Sequence, residues 1–127
     1  MKRNSFPKRK RLVSNEQFKA VLDHKTYFYN DLLKLFIAKN EVGFPRLGIS
    51  VGKSVGKAVL RNRIRRLIRE AFRQNQEEIP SEYDYLVMIS HNWLKNFDKP
   101  EDAKSAIKKL TFRQIEASFL ALVKKMG

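Results

Sequence analysis

Between Leu32 and Ala38 the side chains alternate: Leu33, Leu35 and Ile37 share one face of a predicted strand, and Lys34 and Phe36 share the other. Leu47, Ile49 and Val51 alternate in the same way with Gly48, Ser50 and Gly52. Glu41-Val42-Gly43-Phe44-Pro45 between them reads as a turn, so the pattern predicts that these two strands face each other in a hairpin. Tyr85 to Ile89 is an unbroken apolar run, which predicts a strand buried on both faces.

Helical periods fill the rest. Ser14-Asn15-Glu16-Gln17 is a capping box, with Ser14 as N-cap and Gln17 reaching back. The helix it opens carries Phe18, Val21 and Leu22 on one side, and Val13 is placed to staple onto Phe18. A second helix is predicted from about Lys57 to Gln74. Pro100-Glu101-Asp102 opens a helical stretch that reads to about Lys124, with a break expected at Thr111 to Arg113. Helices and strands alternate around one small sheet. The fold class is α+β, a small α/β sandwich in a single domain, residues 1–127, with residues 1–12 as a basic arm.

Charge changes this picture more than composition does. The net charge is +14, and it is concentrated: residues 1–11 carry six bases and no acid, and residues 57–73 carry seven bases and only Glu70. Two concentrated patches imply a polyanion whose counterions they displace. The absence of cysteine excludes disulfides, thiolate zinc sites and cysteine nucleophiles. The basic start lacks the apolar stretch of a secretion signal, and no apolar run approaches the roughly 20 residues that span a bilayer. A cytoplasmic protein without membrane contact is expected.

On a helical wheel Leu60, Ile64, Leu67, Ile68, Ala71 and Phe72 form one apolar stripe. Asn62, Arg66, Arg69 and Arg73 form a row on the opposite side, roughly 16 Å long at 1.5 Å per residue. Arg61, Arg63 and Arg65 flank it. Arginine suits phosphate, because the planar guanidinium binds it through two parallel hydrogen bonds and also stacks on bases. The loop ahead of the helix, with Gly52, Lys53, Ser54, Gly56 and Lys57, offers a second anion site at a helix N-terminus. It is not a nucleotide-binding P-loop: Gly52 and Gly56 are one residue too close, and Ala58 follows Lys57.

The run Gly48-Ile49-Ser50-Val51-Gly52-Lys53-Ser54-Val55-Gly56-Lys57-Ala58-Val59, continuing into Arg61-Asn62-Arg63-Ile64-Arg65-Arg66-Leu67-Ile68-Arg69-Glu70, closely resembles the signature of the bacterial ribonuclease P protein subunit. The resemblance extends from about Arg11-Leu12 to the Tyr85–Ile89 strand; the C-terminal helices match in general character only. It implies a sheet of about four strands in the order helix-strand-strand-strand-helix-strand-helix, with a left-handed β-α-β crossover. It implies two partners, a large catalytic RNA and precursor tRNA, and no small-molecule substrate. The RNA removes the 5′ leader by hydrolysis with Mg²⁺, held mainly by the RNA and the substrate. The resemblance places Arg61, Asn62, Arg63, Arg65, Arg66, Arg69 and Arg73 on the RNA subunit. Ser54, Gly56 and Lys57 fall in the phosphate-binding loop. The leader cleft takes Phe18, Leu22, Lys34, Phe36 and Lys53. Two positions depart from the family: Ser54 replaces the second lysine of a usual pair, and Leu22 stands where many members have an aromatic.

Phe36 and Lys34 share a strand face by pattern alone, which suits stacking of single-stranded RNA. Packing of Phe36 under a helix is the other reading of the same pattern. His24 and His91 have no ligand-spaced partner and read as surface or loop residues. Glu77, Glu78 and Glu82 read as a solvated loop. No catalytic or metal-binding set is therefore expected in the chain itself. A non-enzymatic RNA-binding or ribosome-associated protein satisfies the charge but not the motif. A helix-turn-helix DNA binder is disfavoured by the strand and Gly-Lys loop that precede the arginine helix.

Overall fold

The computed structural model describes residues 10–12 and 14–126. The first nine residues of the basic arm, Val13 with its expected staple, and Gly127 lie outside them. The chain order is α1 (Asn15–Asp23), β1 (Thr26–Tyr29), β2 (Leu33–Lys39), β3 (Arg46–Ser50), α2 (Ala58–Gln74), β4 (Tyr83–Ile89), α3 (His91–Lys95), α4 (Pro100–Lys109) and α5 (Phe112–Lys124). The capping box forms as predicted: Gln17 N–H donates to Ser14 Oγ and Ser14 N–H to Gln17 Oε1, each at 3.1 Å. The expected break in the C-terminal stretch also forms. Leu110 closes α4, and Thr111 opens α5 with a second capping box, to Gln114.

The strands lie in the order β1-β2-β4-β3, with β3 and β4 parallel and the other pairs antiparallel. The predicted hairpin of β2 with β3 does not form. β4 separates them, because a strand apolar on both faces is best buried at the centre of the sheet, with a neighbour on each edge. The hairpin partner of β2 is β1. Asn30 makes that turn: its side-chain oxygen accepts from Leu32 and Leu33 N–H, and its amide donates to Ser118 O in α5 at 2.9 Å.

The hand of the β3-α2-β4 crossover follows from chirality. In a strand running upward, an L residue whose side chain faces the viewer directs its N–H and C=O to the right. Leu33 points its side chain into the core shared with α2, while its N–H and C=O both bond Asn30 on the β1 side. Seen from α2 with β2 upward, β1 lies to the right, and β4 and then β3 lie to the left. With α2 in front, the step from β3 to β4 is left-handed, against the usual preference.

The main core fills the space between this sheet face and the helices. Leu33, Leu35 and Ile37 of β2 and Tyr85, Val87 and Ile89 of β4 meet Ile64, Ile68 and Phe72 of α2 and Ile115 and Phe119 of α5. The Phe72 ring stands 5.8 Å from Tyr85 and 6.2 Å from Phe119, centroid to centroid. Tyr85 is wholly buried; its hydroxyl donates to Pro80 O at 2.6 Å, and burial pushes the phenol pKa up. The opposite face carries a smaller cluster under α1, with Leu12, Val21 and Leu86 buried and Phe18, Phe36, Ala38 and Met88 against them.

A buried ion pair pins β3 to β4. Asp84 is 7% exposed, and Arg46 Nε reaches its Oδ1 at 2.7 Å while the terminal guanidinium nitrogen reaches Oδ2 at 2.7 Å. Asn40 Nδ2 donates to the same carboxylate at 2.8 Å and to Phe44 O at 3.1 Å, which ties in the loop between β2 and β3. The carboxylate raises the pKa of Arg46. Asp84→Ala leaves a partly buried guanidinium without its carboxylate and is expected to cost about 2 kcal/mol in urea denaturation. A loss under about 1 kcal/mol would show that solvent already screens the pair.

Candidate nucleic-acid interface

The register of the sheet lays its second face out in rows. One row runs Tyr27, Phe36, Leu86, Gly48 across the four strands, and the next runs Tyr29, Lys34, Met88, Ser50. α1 covers the Leu86–Gly48 end of the first row. Gly48 permits this: a Cβ there would sit 2.9 Å from both Leu12 Cδ1 and Phe18 Cε1. Phe18 is thus laid half-buried against the sheet, and Leu22 of α1 is 39% exposed.

Among the described residues the β1 end of both rows stays open. Lys34 Nζ lies 4.3 Å from the Tyr27 ring centroid and 5.0 Å from that of Phe36, and the two rings are 5.3 Å apart at 40°. Phe36 is half-buried: it packs on the α1 cluster and also meets the Tyr27 ring and the Lys34 ammonium. Tyr27, Tyr29, Lys34, Ser90, His91 and Asn92 line an open pocket of about 280 Å³ here. His91 also lines the neighbouring pocket, which holds Lys53 and Ser54. Phe18, Lys34 and Phe36 are thus brought onto one sheet face, Leu22 is exposed on α1, and Lys53 lies one pocket further along. Tyr27 and Tyr29 were not singled out by the sequence, while His91 is exposed, in keeping with a surface residue. The alternation Tyr27-Phe28-Tyr29 was the available signal, but with aromatics on both faces it does not say which side is core.

α2 seats itself as its periodicity predicted. Ile64, Ile68, Ala71 and Phe72 are buried, and Leu60 and Leu67 pack beside them. The arginines have unequal fates. Arg63 donates to Ile107 O at 3.1 Å and Leu110 O at 2.6 Å, so it caps the C-terminal end of α4. Arg73 pairs with Glu70, which lowers the Glu70 pKa and raises that of Arg73. Arg65 donates to Asn62 Oδ1 at 2.9 Å. Arg61 buries its Nε without a partner among the described residues. Arg66 is exposed, and no hydrogen bond or ion pair within the described residues engages it.

Arg69 marks where the two charge concentrations meet. Partial burial lowers its pKa, and the nearby charges of Arg11, Arg65 and Arg66 lower it further. Arg11 is brought there by backbone pairing: it bridges to Leu47 in parallel, and Leu12 N–H donates to Leu47 O at 2.9 Å. The end of the N-terminal segment thus runs along β3 and adds its cation to the α2 row.

The loop before α2 is a 3₁₀ turn, Lys53–Val55. Val55 and Gly56 N–H are spent on Gly52 O and Lys53 O, both at 3.1 Å. The donors left for an anion are those of the first turn of α2, whose N-cap Lys57 supplies no side-chain bond. Lys53, Ser54 and Lys57 are exposed around them. Gly56 is buried at φ 140°, where a Cβ would meet Leu60 Cδ1 at 2.8 Å, so its role is to turn the chain.

Among the described residues no three His, Cys, Asp or Glu side chains gather as a metal site. No described helix is long and apolar enough to cross a membrane. His24 ends α1 and is exposed, as are Glu77, Glu78 and Glu82.

The comparisons with known proteins agree with this geometry. The family model "Ribonuclease P" matches residues 6–127. The ribonuclease P protein component of Clostridioides difficile is 38% identical over 121 residues, covering 94% of each chain. That of Alkaliphilus oremlandii is 33% identical over 117 residues, 92% of this chain and 90% of its own. Among solved structures, the RNase P protein from Thermotoga maritima superposes with a TM-score of 0.76 at 26% identity, covering 92% of this chain and 97% of its own. That of Staphylococcus aureus gives 0.72 at 28%, covering 92% and 94%. A basic helix, an aromatic cleft and a left-handed crossover thus coincide with sequence identity along nearly the whole chain, and the chain belongs to the ribonuclease P family as the protein component of the ribonucleoprotein endonuclease that processes the 5′ leader of precursor tRNA.

Proposed function

We propose that the protein uses two separate surfaces. The α2 row, with Arg61, Asn62, Arg65, Arg66 and Arg69 joined by Arg11, docks on the catalytic RNA. The open sheet face and the cleft beside α1, with Phe18, Leu22, Lys34 and Phe36, hold the single-stranded leader of precursor tRNA, which continues towards Lys53. The first turn of α2, with Ser54 and Lys57, takes a backbone phosphate. Arg63 and Arg73 act mainly by holding α4 and α2 in place. Hydrolysis and its Mg²⁺ belong to the RNA and the substrate, and the holoenzyme works in the cytoplasm.

The division of the surface carries this reading. α2 presents guanidiniums without aromatics, suited to a phosphate backbone whatever its sequence. The two sheet rows present rings and a lysine with no carboxylate, suited to unpaired bases.

Arg66→Ala is expected to weaken binding to the ribonuclease P RNA and to lower the slope of log K against log salt by about one unit. Arg63→Ala is expected instead to cost about 2 kcal/mol of folding stability, since two carbonyls lose a charged donor. A salt titration and a urea melt on both variants separate the two roles; the same profile for both would sink the distinction. Phe36→Leu keeps most of the packing under α1 but removes the ring. It is expected to weaken binding of leader-bearing precursor by about 1–3 kcal/mol and to leave mature tRNA unchanged; equal losses for both would assign Phe36 to the core alone. The purified chain without RNA is expected to leave precursor tRNA intact in Mg²⁺, and cleavage by a contaminant-free preparation would overturn the division of labour.

A further inference from the structure

Tyr27 is 48% exposed and Tyr29 57% exposed, beside each other on the same face of an edge strand. Exposed aromatics on a sheet edge invite a partner. Their setting says which kind. Lys34 places its ammonium over the Tyr27 ring at 4.3 Å, so the aromatic surface carries a fixed positive charge. Neither cross-strand row contains a carboxylate that would repel a phosphate. The open pocket beside them is shared with His91, which leads on to Lys53. Tyr27 and Phe36 stand 5.3 Å apart at 40°, too tilted to hold one base between parallel faces.

We infer that Tyr27 is a second stacking position for an unpaired nucleotide, next to Phe36, with Lys34 neutralising the phosphate between the two bases. This deepens the leader reading and rests on it.

The test uses the holoenzyme, reconstituted with a bacterial ribonuclease P RNA. Binding is measured for mature tRNA and for precursors whose leader carries an abasic site at successive positions. In the unaltered holoenzyme two adjacent abasic positions are expected to weaken binding. Tyr27→Ala is expected to weaken the intact precursor by about five- to a hundred-fold, to leave mature tRNA unchanged, and to make one of those two positions silent. Tyr27→Phe retains both penalties, and circular dichroism confirms that the variants are folded. If Tyr27→Ala binds every precursor like the unaltered protein while Phe36→Leu is impaired, the inference falls and the leader reading stands. If neither variant is impaired, both fall. A protein mass that depends on concentration and is lost in Tyr27→Ala would make this face a contact between copies of the chain, and would overturn the inference as well.

Discussion

The structure is organised by the burial of β4 on both faces. Tyr85, Leu86 and Val87 are almost wholly excluded from water, alternately beneath α2 and α5 and beneath α1. At roughly 1.5–3 kcal/mol for each such side chain, no surface position can compete with the sheet centre. That placement forces β2 and β3 apart. It sets α2 across the β3–β4 step with an unusual hand, and it aligns the rows that cross the second face. The buried Arg46–Asp84 pair then locks the parallel register at one end.

The second face is unequally covered. α1 has only nine residues, and its apolar contacts reach Leu86, Gly48 and Phe36; no described residue forms a lid over Tyr27, Tyr29 and Lys34. Gly48 sharpens this asymmetry, because the missing side chain lets Leu12 and Phe18 settle onto the strand instead of riding above it. Among the described residues the second face is therefore packed at its β3 end and lined by an open pocket at its β1 end.

Electrostatics on α2 act in the other direction from packing. The helix is held by its apolar stripe and by Arg63 on the end of α4, while the charge of Arg69 is disfavoured first by partial burial and then by repulsion from Arg11, Arg65 and Arg66. A phosphate backbone placed there would relieve that repulsion and release its own counterions. The cost of assembling the cations is borne by the core, which holds α2 through its apolar stripe.

Much of this was legible in the chain. The capping box at Ser14, the apolar stripe from Leu60 to Phe72, the alternation of β2 and β3 and the both-sided burial of β4 depend on neighbours within a few residues, and sequence spacing reports these directly. The signature from Gly48 to Glu70 carried the family and with it the crossover and the partners. What spacing could not report was pairing between distant segments. Nothing local in β2 or β3 says that β4 will lie between them, or that Arg63 will meet the carbonyls of α4. Nor does it say that Arg11 will join Arg69, or that Tyr27 will share a cation with Phe36. Those choices follow from how apolar faces compete for one core, and only the tertiary structure decides that competition.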